Sequence, residues 1–588
     1  MNGVQNEAFD LTENLNKFDR DDRELNKHKT NGENISLEPM THEEVVNTNL
    51  SATGTNKNEK KYSLVVFIIT NFIVFVYFSY VTYHYIKIRN ACEKNCELTL
   101  CSPYGMLLFV ISAIYLGLIY YKLIKPYFGK TIEKKIFKPV RHNTRKFFKS
   151  MQSRVAMSIV LSATFFAYII YETFNDFTRL RALVGIAIFI TIGYSLSIKQ
   201  NGINYRIVIC GAIFQFLLGV ILIRWTVGRE IFSCFGEKIS QFLNYGKHGA
   251  AFVFGDFLVT EKIVFAFAVL PIIYFFSMCI SVGYYLGFMQ QILFKIGWIL
   301  QSIIGTTVCE SVNAAGNIFL GMSESPLVIQ PYIKHLTHSE IHAIMVSGFA
   351  TVSGSVMAAY INFGAEPSHL ITASVMAAPA SLFMAKLVWP ETEETKTSSN
   401  NIQIEKSTDT SIIDAASNGA SNAINLMLNI IANLVAFVSF IYFADAILTW
   451  ITTLAGFENL NLHSILGKIF MPISWLIGID WKDCENVGHI IGTKTIINEF
   501  VAFKLLGEYK AAGKISSKSA AITTYAICSF ANPASIGIMI GALSGLAPER
   551  RPSITKVAIR AFFAACLVTL ITASIAGLLM TDETINNF

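Results

Sequence analysis

The sequence predicts an all-α polytopic membrane protein, with about 11 transmembrane helices plus two re-entrant helical hairpins in an inverted repeat. Three observations carry that prediction. Of 588 residues, 53% are hydrophobic and only 15% are charged, and the mean hydropathy is +0.46. A soluble chain so apolar would expose large sticky patches, so the bilayer is the expected solvent. Apolar runs of about 20 residues, long enough to cross the hydrocarbon core, recur along the chain. Between them lie two apolar stretches, 305–331 and 485–507, too interrupted by Gly, Pro and charged residues to span.

Residues 1–61 are polar, with few aromatics and many Asn, Asp, Glu and Lys. That is the composition of a disordered cytoplasmic leader rather than of a signal peptide. Spans are expected near 63–86, 104–122, 155–173, 180–197, 206–225 and 260–287. More follow near 339–363, 368–389, 423–452, 520–547 and 556–579. The loop 125–154 holds ten Lys and Arg, which assigns it to the cytoplasm. Counting from it puts the amino terminus inside and the carboxyl terminus outside. The loop 87–103 then faces outside with Cys92, Cys96 and Cys101. Two readings stay open there: one disulfide with a third thiol left over, or three unpaired cysteines. Segments 226–247 and 286–304 carry apolar residues at helical spacing. They read as helices in the membrane interface or as packed loop helices.

The broken segments hold the functional signal. The first, "GTTVCESVNAAGNIFLGMSESPLVIQPYI" (305–333), leads into a span containing "SGFATVSGSV" (347–356). The second, "HIIGTKTIINEFVAFKLLGEYK" (489–510), leads into a span containing "CSFANPASIG" (528–537). Each pair is a polar segment with a Glu, then a helix interrupted by small residues after Phe-Ala. The topology makes the two enter from opposite sides, the pattern of a secondary transporter with its site at the repeat interface. Unwound backbone there frees carbonyls, and helix ends present partial charges. Hard cations such as sodium take several oxygen ligands, which Asn317, Ser323 and Ser355 supply without net charge. A small hydroxylated solute suits Glu324, Glu499, Asn532 and Ser535. A single Ser in a membrane helix more often serves close packing, whereas an intramembrane carboxylate is a functional hypothesis by default. Glu310 reads either as part of a substrate path or as hairpin scaffold; His342 and Lys386 read as satisfied or snorkelling residues.

The stretches "GNIFLGMSESPLVIQPYI", "SEIHAIMVSGFATVSGSVMAAYINFG", "ITASVMAAPASLFMAKLVWPETEE", "INEFVAF" and "FANPASIGIMIGAL" resemble the concentrative nucleoside transporter family. The likeness runs from about residue 206 to about 579 over several long motifs. The spans before it fit the longer animal-type members. The resemblance implies sodium-driven uptake of nucleosides by a homotrimer, each protomer pairing a scaffold with a mobile, elevator-like transport domain. It implies a sodium site of Asn317, Leu320 (carbonyl), Ser323, Ser355 and Val356 (carbonyl). Met322, Ser323 and Glu324 would face the base, and Glu499, Asn532 and Ser535 the ribose. Sodium is then the coupling ion, with no other cofactor and no nucleic-acid partner.

On that basis residues 62–200 hold three amino-terminal spans and the start of the scaffold, and 201–304 scaffold spans and interfacial helices. Residues 305–389 form the first hairpin and transport-domain helices, and 390–415 a cytoplasmic loop. Residues 416–484 hold a scaffold span and an extracellular loop, and 485–579 the second hairpin and its helices. Residues 580–588 are an extracellular tail.

Many family members carry Gln where this chain has Met322. A thioether is a weak acceptor, flexible and polarizable, and gives up a directed bond to a pyrimidine edge. With Gly321, Thr351 and Val352, Met322 resembles the purine-preferring branch, with uridine tolerated. Pro533, beside Asn532, removes a backbone donor near the ribose groups. Proton coupling and broad selectivity are the alternatives within the family. A receptor or channel is the alternative outside it, and would not be expected to double the broken segments. An enzyme is not expected, because the few histidines show no metal or triad spacing. The plasma membrane is the expected location.

Overall fold

The computed structural model describes residues 57–91, 101–120, 127, 163–165, 167–174, 176–397, 409–456 and 462–581. Most of the leader, the basic loop 125–154 apart from residue 127, residues 155–162 and 166 of the expected span 155–173, Cys92, Cys96 and most of the tail lie outside them. Every regular element among the described residues is helical. The chain divides into two compact units, residues 1–98 and 99–588. The first holds helix α1, Lys57–Ala91, whose Phe72, Phe75 and Tyr80 side chains are exposed as expected for a lipid-facing span.

In the second unit α2 spans Pro103–Ile119, capped by Ser102 Oγ, which accepts from the Gly105 amide at 3.1 Å. Just before it, Cys101 is disulfide-bonded to Cys234. Both readings left open for the loop 87–103 are therefore corrected for Cys101, which pairs with a cysteine 133 residues away in sequence. Helices α3 (Leu180–Ser195) and α4 (Tyr205–Gly219, continuing as a π turn to Arg224) follow. Glycines let them approach their neighbours. A Cβ on Gly185 would lie 2.3 Å from the Leu476 carbonyl, and one on Gly211 would lie 2.5 Å from Phe383 Cβ. The two segments read as interfacial are helices α5 (Thr226–Phe254) and α7 (Phe288–Ile304), flanking α6 (Ile272–Tyr285).

From α7 onward one order of elements occurs twice. The first copy is α7, then α8 (Val308–Gly316) and a 3-10 arm (Ser325–His335), then α9 (His338–Phe349) and α10 (Gly354–Asn362), then α11 (Pro367–Val388). The intervening α12, Ile412–Leu454, begins inside the range expected as the loop 390–415, because Ser411 and Thr410 start it by bonding to Asp414. The second copy is α13 (Leu462–Leu476), α14 (Cys484–Ile496), α15 (Glu499–Ala511), α16 (Ser517–Ile527), α17 (Pro533–Leu546) and α18 (Arg551–Leu579). Each copy is an apolar helix, a two-armed hairpin, a helix broken at mid-length and an unbroken helix.

Local chemistry fixes the arms. A capping box of Thr307 and Glu310 starts α8, and another of Thr337 and Glu340 starts α9. Helices α9 and α16 both pack on α18, which also packs on α11, so the two copies share one buried core. Helix α6 packs on α12. Seven helices among the described residues are long and apolar enough to cross a bilayer, which suits an integral membrane protein.

Candidate functional site

Four interruptions meet around one cavity of about 780 Å3. They are the hairpin tip Asn317–Glu324, the break 350–353, the turn Ile497–Asn498 and the break 528–532. Backbone bonds stitch them together. The Gly354 amide donates to the Phe319 carbonyl at 2.9 Å, and the Phe530 amide to the Thr351 carbonyl at 3.1 Å. Unwinding thus leaves polar groups that pair with one another, within the first copy at Gly354 and across the repeat interface at Phe530, as non-helical backbone at membrane depth requires. The far wall comes from α6 and α12, including Phe276, Tyr284 and Asn429. The volume suits a small organic solute.

On one side of the cavity Glu499 is the first residue of α15, where the helix dipole favours a carboxylate. Its Oε2 accepts from Asn532 Nδ2 at 2.8 Å. The oxygen of the same Asn532 amide caps α17 by accepting from the Ser535 amide at 2.9 Å. Glu499, Asn532 and Ser535 are therefore brought together as the sequence suggested. Pro533 costs no hydrogen bond. It sits at the first position of α17, where the backbone N–H would have no helical partner anyway, so the donor it removes is one that only a ligand could have used. Tyr360 stacks on Phe503 at 4.3 Å between centroids and meets Phe500 edge-on at 5.3 Å, which locks α15 behind the carboxylate.

Across the cavity Glu324 Oε2 accepts from the Gly321 amide at 3.2 Å, a bond that closes the hairpin tip. Leu320, Gly321, Met322, Ser323 and Glu324 all line the cavity. Met322 is mostly buried, its Cβ 3.0 Å from where a Cβ on Gly348 would lie, so the tip rests directly on α9. Thr351 and Val352 lie behind this surface, fully buried; Thr351 Oγ1 donates to the Ser347 carbonyl at 2.9 Å.

Beneath the tip, Asn317 is completely buried. Its Nδ2 donates to Ser347 Oγ at 3.1 Å, while its Oδ1 has no hydrogen-bond partner. Ser355 Oγ lies 2.5 Å from Ser353 Oγ at the start of α10, and Val356 follows in the same turn. A buried amide oxygen without a hydrogen-bond partner, neutral hydroxyls and backbone carbonyls are the donor types that suit a hard monovalent cation. No cluster of His, Cys, Asp and Glu among the described residues is arranged to hold a metal ion.

Glu310, open between two roles in the sequence, belongs to the scaffold of the hairpin: it is ion-paired to Lys386 of α11 at the hairpin's base. Lys386 is satisfied as expected, with further bonds to Glu391 at 3.1 Å and Ser339 Oγ at 2.9 Å. His342 is buried against the Trp389 ring. The sequence reading passed over Ser347 and Asn313, which share a polar cluster with Asn317. It also passed over Lys494, buried in the last turn of α14. For Lys494 the available signal was an ionisable residue within an apolar segment.

Family models described as Na+ dependent nucleoside transporter N-terminus, Nucleoside recognition, and Na+ dependent nucleoside transporter C-terminus match residues 184–257, 266–367 and 369–577. Sodium/nucleoside cotransporter 1 of Mus musculus is 37% identical over 491 residues, covering 81% of this chain and 75% of that protein. Sodium/nucleoside cotransporter 2 of Mus musculus is 38% identical over 503 residues, covering 83% and 74%. Among solved structures, CNTnw in an inward-facing substrate-bound state superposes with a TM-score of 0.65 at 39% identity, over 68% of this chain and 98% of that one. A substituted CNTnw in an outward-facing state gives 0.66 at 39% identity, over 68% and 98%.

Proposed function

This chain belongs to the sodium-dependent nucleoside transporter family, and from that premise we propose that it is a symporter that concentrates nucleosides into the cell with sodium. The observation that carries this reading is the convergence of both hairpin tips and both helix breaks on one cavity holding Glu324 and Glu499. Glu499, Asn532 and Ser535 bind the ribose. Gly321, Met322, Ser323 and Glu324 face the base, with Thr351 and Val352 shaping the wall behind them. Asn317, Leu320, Ser323, Ser355 and Val356 hold sodium. Ser323 serves both sites, which links occupancy of one to the other.

The two repeats form a transport domain that moves as an elevator past a scaffold including α6 and α12, within a homotrimer crossing the plasma membrane about eleven times per protomer. Their mutual packing supports the static role of α6 and α12. One charge moving through 100 mV contributes about 2.3 kcal/mol, and a tenfold sodium gradient about 1.4 kcal/mol. Together they sustain accumulation on the order of several hundredfold for one sodium per nucleoside.

The tip chemistry supports a preference for purine nucleosides, with uridine tolerated: Met322 offers no directed bond to a pyrimidine edge and slides against a larger ring. One experiment tests coupling and selectivity together. Proteoliposomes should take up labelled adenosine uphill in sodium but not when choline replaces it. Inosine should compete better than cytidine, and Met322→Gln should narrow that gap; one directed bond is worth about 1 kcal/mol, or roughly fivefold. Uptake indifferent to sodium but rising as external pH falls would reject the coupling. Equal competition by cytidine would reject the preference alone.

The Cys101–Cys234 disulfide supports the proposed orientation. Counting spans from the basic loop places both cysteines outside, the side where disulfides persist. The segment 580–588 is then extracellular. An epitope tag there should be stained on intact cells; staining only after permeabilisation would invert the topology.

A further inference from the structure

An asparagine amide presents oxygen on one side and NH2 on the other with nearly the same shape. Which of them faces a site is decided by the hydrogen bonds the amide makes. For a cation the distinction is absolute, since only the oxygen is a ligand. We propose that Ser347, a residue that never touches the ion, sets sodium affinity by holding the Asn317 amide with its oxygen toward the cation. This rests on the assignment of Asn317 to the sodium site.

Ser347 is fully buried on α9, facing α8. Its Oγ accepts from Asn317 Nδ2 at 3.1 Å and from Asn313 Nδ2 at 2.9 Å. Its own proton goes to the Ile344 carbonyl at 3.0 Å. A hydroxyl has one proton and two lone pairs, and all three are committed. The commitment of the proton matters most. With it tied to Ile344, Ser347 accepts from an NH2 but cannot donate to an amide oxygen, so a reversed Asn317 finds no partner there. Asn313 on α8 and Asn317, the C-cap of that helix, are one turn apart and are pinned in the same sense. Both Oδ1 atoms are buried without a hydrogen-bond partner. A buried oxygen without a hydrogen-bond partner calls for an explanation, and for Asn317 a bound ion supplies one.

The test is Ser347→Ala, which removes one oxygen and no packing volume of consequence. Two titrations with sodium are run on wild type and variant: uptake of labelled adenosine, and the rise in thermal midpoint of the purified protein without nucleoside. Loss of one hydrogen bond of ordinary strength should raise the half-maximal sodium concentration about fivefold or more in both titrations. Adenosine affinity at saturating sodium should stay within about twofold. A sodium-responsive wild type with a Ser347→Ala variant that titrates identically overturns the role of Ser347 and leaves the sodium site standing. Parallel loss of sodium and adenosine affinity, with a lower midpoint in sodium-free buffer, also overturns it, because packing alone would do that. A wild type whose midpoint ignores sodium overturns both this role and the sodium assignment beneath it.

Discussion

Glu499→Gln should weaken nucleoside binding by tenfold or more while leaving the protein folded and at the cell surface. The carboxylate is 4% exposed and sits at the first position of α15, so the helix N-terminus already stabilises its charge. Asn532 Nδ2 bonds to Oε2 at 2.8 Å; a Gln carbonyl can take over that bond, which keeps the site's shape. What Gln cannot replace is a charged acceptor for a ribose hydroxyl. Such a bond is worth about 1.5–3 kcal/mol, roughly tenfold to over a hundredfold in affinity. The measurement is adenosine affinity at saturating sodium and matched surface expression. A deoxyribose analogue lacking the bonded hydroxyl should lose much less in the variant than in wild type, because its contact is already gone. Near-normal adenosine affinity in Glu499→Gln would remove this residue from the ribose site.

Much of this site was legible because the bilayer penalises polarity. Glu324 and Glu499 stand out in apolar surroundings, and the small-residue breaks after Phe349-Ala350 and Phe530-Ala531 mark where helices unwind. The repeated order of elements follows from the same pattern read twice. What stayed hidden depends on partners remote in sequence. Cys101 gives no hint that its partner is Cys234 on α5, since spacing does not determine connectivity. That Pro533 costs the helix no bond was hidden too, until the N-cap at Asn532 made it the first residue of a helix. Ser347 looked like one more small residue in a membrane helix, and only the positions of Asn313 and Asn317 on the facing helix give it a role. The start of α12 was missed for a simpler reason: the loop was carried on to residue 415, yet Ser411 caps the residues from 412 into helix.

Lys386→Met should destabilise the protein by about 3–5 kcal/mol, the usual cost of breaking a buried ion pair from one side. Lys386 is 4% exposed and Glu310 is fully buried. Besides Glu310, the ammonium meets Glu391 at 3.1 Å and Ser339 Oγ at 2.9 Å. Removing it strands Glu310 without its cation and sets it in a cluster with Glu391 and Glu340 that is otherwise acidic. The pair joins the base of the first hairpin to α11, so its loss should loosen the hairpin where it is anchored rather than at its tip. The thermal midpoint of the purified variant should fall well below wild type, whereas adenosine affinity of the molecules that remain folded should change little. The double variant Lys386→Met with Glu310→Gln separates charge from volume. If the penalty is the stranded carboxylate, neutralising it should return a large part of the lost stability, because the two sites share one interaction and their effects do not add. If the double variant is instead as unstable as the sum of the two single ones, the lysine stem's packing and not the ion pair holds the hairpin to α11.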